Sequence, residues 1–331
     1  TIEFTFINST VRNAKNGLIY DIEAHLFQSE NDCIEVRGSV FDNLSICACS
    51  LYVWCSVTFE NNTIKNCYHD DLNTPLCSIQ FLNDTFTSFS FKDFVFENNQ
   101  VKNGNAKGEL LNSRFVNGGG SGLCIEFENH DVDLAISFEH CHFYRNHASS
   151  YGGAFAFSEE DPSTIFSFRS CAFNDNECDR LRGSVLYLLC EKVTINNCLF
   201  RNNSKADPRS PMVFRQSGIT DDEIDQNSVI FMPNLCSETT FSMTFCSFES
   251  NNPGYCLFER NCNDLFLSDC KFVNNSQRHL NLVVFNNIQF YKCEFLTGPQ
   301  RESGIKEVSS IRISDCVNEC RFIDCQFNEF S

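Results

Sequence analysis

The sequence predicts an all-β chain wound as a right-handed parallel β-helix, a solenoid of roughly a dozen coils. Three observations predict it: a five-position frame that recurs along the chain, period-two alternation inside that frame, and variation confined to the segments between copies. The frame reads apolar-x-apolar-x-x-Cys-x-Phe-x-x-Asn. It is complete as Ile136, Phe138, Cys141, Phe143, Asn146 and as Phe166, Phe168, Cys171, Phe173, Asn176. It returns as Val193, Ile195, Cys198, Phe200, Asn203; as Phe241, Met243, Cys246, Phe248, Asn251; and as Leu265, Leu267, Cys270, Phe272, Asn275. Two later copies change the last position, Ile288, Phe290, Cys293, Phe295 ending on Gly298 and Cys320, Phe322, Cys325, Phe327 on Phe330. Upstream an apolar residue replaces the cysteine, giving Phe89, Phe91, Phe94, Phe96, Asn99 and Tyr52, Trp54, Val57, Phe59, Asn62.

Each position has a mechanical reason. Alternation over the first three positions is a strand signal, the two-residue break is a bend, and alternation resumes in a second short strand. Successive cysteine positions lie 30, 27, 24 and 23 residues apart where the frame is best kept, so strands stack while loops vary. The 48 residues from Cys198 to Cys246 fit either two coils or one coil with a long loop. Phe, Ile, Leu and Val point inward and stack on their equivalents, which accounts for 35 Phe against one Trp, since Phe has no polar atom to satisfy. Cysteine suits a tight inward bend as a small, readily buried side chain. The closing Asn suits a corner because it tolerates a left-handed backbone and can bond its neighbours above and below in a ladder.

A repeat running nearly end to end argues for one continuous solenoid over 1–331. Residues 1–50 and 204–240 lack a clear frame, although Ile34, Val36, Ser39 and Phe41 fit a divergent coil. Glycine-led elements follow several frames: Gly152-Gly153-Ala154-Phe155, Gly183-Ser184-Val185-Leu186 and Pro253-Gly254-Tyr255-Cys256. They permit a sharp turn and close approach between coils. The run Gly118–Gly122 is a flexible loop, with no lysine at the spacing of a phosphate-binding loop.

These glycine elements and the Phe-x-x-Asn copies over residues 50–280, with both together at 143–157, resemble the GGA and FxxN repeats of polymorphic outer-membrane proteins. That family comprises the adhesin-like β-helices of chlamydiae, with relatives in protists such as trichomonads. The cysteine two before Phe departs from the bacterial repeat and points to a protist relative. The resemblance implies a right-handed parallel β-helix with an adhesive or surface-display role, and an extracellular or cell-surface location.

No segment has the length of apolar sequence that crosses a membrane as a helix, and no signal peptide opens the chain. The alternating run at Thr1 and the altered frame copy at Phe330 suggest a processed chain or a fragment, or ends capped by further chain or a partner. A net charge of −18 disfavours nucleic acid, and acidic polysaccharides unless calcium bridges them. The 21 cysteines read as a column of buried free thiols, with pairs such as Cys47 with Cys49 or Cys316 with Cys320 open to bridging and a reducing compartment as the alternative. Six N-glycosylation sequons occur, at Asn8, Asn43, Asn61, Asn83, Asn202 and Asn274.

Catalytic and metal chemistry find little footing. Asp70-Asp71, Asp131 with Asp133, and Asp221, Asp222, Glu223 and Asp225 are the acidic candidates, and none carries the paired spacing of a glycosidase. Asp221, Asp222, Glu223 and Asp225 form a calcium candidate. His140, His142 and His147 surround Cys141, but alternation sends His140 and His142 outward, away from it. No cofactor motif is present. The resulting expectation is a non-enzymatic surface protein whose loops contact a protein or glycan. Its rivals are a polysaccharide-active β-helix enzyme and an intracellular rod within a larger assembly.

Overall fold

In a computed structural model, the structure describes residues 3–13, 19–22, 33–44, 49–53, 56–69, 77–81, 87–101, 123–127, 134–148, 153–158, 164–178, 185–190, 192–205, 228–232, 239–251, 255–275, 278–297 and 311–329. They form a parallel β-helix. One coil shows the plan: a first strand Leu134–Glu139, a bend at His140–Cys141, a second strand His142–Tyr144, a bend at Arg145–Asn146, a third strand His147–Ala148, and a fourth strand Phe155–Ser158. Every first strand pairs in parallel with the first strand of the coils before and after it, as Phe91 with Phe138 and Phe138 with Phe168. The second strands make an 11-stranded sheet in chain order, one strand per coil. First and fourth strands share an 18-stranded sheet. They merge because Tyr255–Ser268, Arg278–Tyr291 and Ile311–Ile323 each run through both positions without a break.

The interior is a set of like-on-like columns. Rings at the Phe position stack from Phe96 to Phe143 to Phe173 at 4.8 Å each, with planes within 11° of parallel. The column continues through Phe200, Phe248, Phe272 and Phe295 to Phe327 at 4.5–5.0 Å. Phe138 meets Phe143 of its own coil edge-on at 6.0 Å and 61°, tying the first-strand column to the second.

The closing Asn residues form a buried amide ladder. Asn146 Nδ2 donates to the Phe96 carbonyl of the previous coil (2.9 Å) and to Asn176 Oδ1 of the next (3.0 Å), and Asn176 Oδ1 also accepts from the Asn146 backbone N–H at 3.1 Å. The same pattern runs through Asn99, Asn203, Asn251 and Asn275. Each rung therefore satisfies backbone groups that a bend would otherwise leave buried and unpaired.

The left-handed residue is the one before the ladder position. Asn98, Arg145, Asp175, Asn202, Ser250 and Asn274 have φ between 51° and 54°, whereas the ladder Asn residues do not have positive φ. A left-handed residue points its side chain out and turns the next one in. The cysteine bend works the same way, with His140, Ser170, Asn197, Phe245 and Asp269 left-handed just before it.

The cysteine thiol also has a bonding role. Cys141 Sγ lies 3.4 Å from the Glu139 carbonyl two residues back and 3.3 Å from the Phe91 carbonyl of the previous coil. Ser39 Oγ donates in the same way to the Arg37 carbonyl at 2.9 Å. The bend selects a small donor.

Register corrects one frame copy. Val57 and Phe59 pair with Phe89 and Phe91, and Ile64 with Phe96. Asn62, not Val57, therefore stands in the cysteine position, Ile64 in the Phe position and Cys67 in the ladder position. Val-x-Phe fits either half of the frame, and only the position of Asn62 separates the two registers. Buried Asn62 donates to the Val36 carbonyl at 2.7 Å and accepts from the Ser39 backbone N–H at 2.9 Å, so it fills the bend.

The coil expected at Ile34, Val36, Ser39 and Phe41 is present in register, and another at Phe4, Phe6, Ser9 and Val11 precedes it. Cys198 to Cys246 is one coil, since Val193 pairs directly with Phe241 and Phe200 with Phe248. Gly298, Phe330, Trp54, Gly152, Gly183, Pro253, Gly254 and the run Gly118–Gly122 lie outside the described residues.

Asn176→Ala is expected to strand the Phe143 carbonyl and the Asn146 N–H, costing about 4 kcal/mol. Cys171→Ala, which removes a small side chain and weak bonds, is expected to cost about 1 kcal/mol. Urea-unfolding midpoints of the two variants test that order.

Candidate functional site

Parallel in-register stacking places identical positions of neighbouring coils about 4.8 Å apart, so a column of like charges would repel. The outward positions alternate instead. At the end of the first strand, Arg37, Glu60, Lys92, Glu139 and Arg169 follow one another in successive coils. Arg37 and Lys92 reach Glu60 at 3.3 and 3.6 Å, and Arg169 lies 3.7 Å from Glu139.

On the second-strand face Arg12 pairs with Asp42 at 3.5 Å, Arg201 with Glu249 at 2.6 Å and Lys271 with Glu294 at 2.8 Å. Burial pushes the Glu249 carboxyl up, but Arg201 and the Ser247 hydroxyl more than offset it and leave the group below its ordinary range. Such exposed pairs add roughly 0–1 kcal/mol each, and their main effect is to leave these charge columns internally compensated. Beside the first column runs an uncharged one, Thr58, Ser90, Ser137, Ser167, Thr194 and Ser242.

Charge imbalance lies in the connections. The segments that lead from a fourth strand to the next first strand are 23–32, 54–55, 82–86, 128–133, 159–163, 190–191 and 233–239; they hold 12 acidic residues and no Lys or Arg. The segments from the third-strand position to the fourth strand, 14–18, 45–48, 70–76, 102–122, 149–152, 179–184, 206–227, 252–254, 276–277 and 298–310, hold 11 acidic and 10 basic residues. One row of connections is thus acidic in sequence, apart from the uncharged 54–55, and the other is mixed. Each connection starts and ends at a fixed place in the coil, so the varied segments arise in two rows.

The acidic catalytic candidates Asp70, Asp71, Asp131 and Asp133 lie outside the described residues, as do the calcium candidates Asp221, Asp222, Glu223 and Asp225. His140 and His142 are exposed, and His147 is half-buried with its Nδ1 2.9 Å from Gln100 Nε2. His140 faces Asp93, Nδ1 to Oδ1 at 3.5 Å. Among the described residues no three His, Cys, Asp or Glu side chains gather as a metal group. No helix among them is long and apolar enough to cross a membrane.

Fourteen cysteines have described side chains and all of these are free, including Cys316 and Cys320, whose pairing the sequence left open. Cys47 lies outside the described residues. Burial pushes the Cys67 thiol up to about 11 and raises Cys141 and Cys256 well above the ordinary range. Hydrogen bonding to a neighbouring thiol raises Cys198, Cys246, Cys270 and Cys293. These thiols are protonated and enclosed, the opposite of a nucleophile.

Sequence reading weighed three histidines and missed a fourth. His279 is fully buried beside the rings of Phe272 and Phe295, at 5.7 and 5.9 Å. It ends the amide ladder. Asn275 Nδ2 faces His279 Nδ1 at 3.5 Å and can only donate, so the neutral ring carries its proton on Nε2, which has no partner among the described residues. Burial lowers its pKa to about 4. The sequence signal was a His inside an apolar alternation, Leu280-x-Leu282, one strand after Asn275.

Comparison of the chain with protein-family models, curated protein sequences and solved structures finds no match. The reading of function therefore rests on the coil itself.

In the folded protein iodoacetamide is expected to modify Cys320, the exposed thiol, first, and to spare the 11 buried cysteines until denaturant is added. Peptide mass mapping before and after unfolding checks this. A second expectation concerns pH. His279 binds a proton more weakly when folded, so stability is unaffected above about pH 6.5 and falls as pH drops towards 4. The total loss is about 3 kcal/mol, and it levels off below pH 4. His279→Phe should flatten that part of the stability–pH curve, as read by thermal melts across the range.

Proposed function

We propose that the chain is a non-enzymatic display scaffold at the cell surface or outside the cell, contacting a protein or glycan through the connections between its strands. One observation carries this reading: register is held along the second strands while length varies most in two rows of connections. A rigid repeat with variable segments at fixed positions is a means of presentation, since binding residues concentrate on loops held by a scaffold. The charge columns on the strand faces are occupied with one another, which leaves the connections as the surface with charge to offer. The acidic row favours a partner with basic groups. Likeness of the Phe-x-x-Asn and glycine elements to the repeats of polymorphic outer-membrane proteins supports a surface role in the same direction.

The enzymatic alternative draws less support, because described carboxylates of the charge columns stand beside bases rather than across a groove from each other. The reading of an intracellular rod draws on the free state of the 14 cysteines whose side chains are described. Labelling of intact cells with an impermeant amine reagent separates it from surface display.

Binding of the purified chain to intact cells and to immobilised glycans should fall about tenfold on amide substitution at Asp131, Asp133, Glu159 and Glu160, and weaken with salt. The melting temperature should not change, because these residues lie between strands. Unchanged binding, or release of sugars from a polysaccharide by the wild-type chain, would overturn the reading.

A further inference from the structure

The asparagines of five of the six sequons are described, and all five occupy the same kind of place. Asn8, Asn43, Asn61, Asn202 and Asn274 are exposed left-handed bend residues, with φ from 49° to 56°. Asn83 lies outside the described residues. The frame itself produces this. None of the ladder asparagines Asn99, Asn146, Asn176, Asn203, Asn251 and Asn275 opens a sequon, and at Asn146 and Asn176 the second residue after it is the buried Ala148 or Cys178. A left-handed Asn is followed two residues later by an outward residue at the head of the next strand, such as Thr10, Thr63 or Ser204. The described sequon asparagines therefore all face water, and none of the buried ladder asparagines is one.

Side-chain bonding divides the bend asparagines further. Those outside sequons are engaged: Asn66 donates to Asp42 at 2.9 Å, Asn98 to Asn66 at 2.8 Å and Asn197 to Ser170 at 3.1 Å. Among the sequons Asn43 donates to Asn13 at 2.6 Å, and Asn8 Oδ1 packs against Gly38. The amides of Asn61, Asn202 and Asn274 donate to nothing among the described residues. A bulky group on their nitrogen would displace no bond of the rod.

We propose that Asn61, Asn202 and Asn274 carry N-linked oligosaccharides. The reaction joins Asn Nδ2 to C1 of a sugar donated by a lipid-linked oligosaccharyl pyrophosphate. The Nδ2–C1 bond forms, the C1–oxygen bond to the pyrophosphate breaks, and the amide loses one proton as the lipid pyrophosphate leaves. The placement also assigns a side of the molecule. Asn61 sits at the bend between first and second strands, Asn202 sits between second and third strands, and Asn274 directly follows the second strand Lys271–Val273 at the equivalent bend. Sugars at these places flank the second-strand sheet along both its margins. They leave the first-strand sheet, with its Ser and Thr column, and the acidic connections uncovered for a partner. The proposal rests on the surface reading above, since the donor is met only on the secretory route.

The experiment takes the full chain from its own cells after surface labelling of those cells, then releases glycans enzymatically in heavy-oxygen water and maps the peptides. Expected is conversion of Asn61, Asn202 and Asn274 to heavy-oxygen aspartate. Surface-labelled chain with these three amides intact overturns this proposal and leaves the surface reading standing; unlabelled chain with intact amides overturns both. Thr63→Ala and Ser204→Ala remove a sequon while keeping its left-handed Asn, so folding is spared. Each should lower the mass of the secreted chain by one glycan without shifting its melting temperature, and an unchanged mass would sink the assignment at that site.

Discussion

Everything in this fold depends on parallel, in-register stacking at about 4.8 Å, which obliges each side chain to be compatible with a near copy of itself. Phe meets the condition because rings stack face on face. Asn meets it because an amide both donates and accepts, so one rung's oxygen is the next rung's partner. Serine and cysteine meet it at the other bend by turning their donors onto backbone carbonyls. Charged side chains fail the condition, and the sequence answers by alternation: Arg37, Glu60, Lys92, Glu139, Arg169 is a column that no run of like residues could replace.

The same condition explains what could be read from sequence. A position that must repeat is visible as a repeat, so Phe143, Asn146 and Cys141 announced the coil and its core. Where the condition is met by unlike residues the reading slipped. Asn62 and Cys67 exchange their usual places, and Val57-x-Phe59 imitated the wrong half of the frame. The backbone conformation was assigned to the ladder Asn when it belongs to its neighbour, because residues as different as Arg145, Ser250 and Phe245 share the left-handed state and leave no composition signal. His279 was hidden for a related reason: it terminates a column rather than repeating in one.

Stacking also divides the surface by function. Strand faces must satisfy their neighbours above and below, so their charges are spoken for by local pairs. Connections are under no such demand, and there length varies from the two residues 190–191 to the 22 residues of 206–227. An excess of acid in one row and a balance in the other cannot come from stacking, since no stacking rule acts there. That difference is therefore one the fold does not impose.

The last coils solve the corner in another way, and the contrast shows what the ladder is for. Up to the strand Thr240–Thr244, a fourth strand ends, a connection intervenes and a new first strand begins. From Tyr255 onward the two strands are one continuous run, paired through Cys262 with Phe285 and Phe285 with Cys316. Continuous pairing satisfies backbone groups directly, so the acidic connection disappears there. The amide ladder ends close by, at Asn275 and His279. A buried histidine with an unpaired Nε2 is tolerable at that point because long paired strands hold the coil around it. In the earlier coils the strands are short and interrupted, and the Asn column holds their bends in register. The interruptions that let the connections of those coils vary are the same ones that make the ladder necessary.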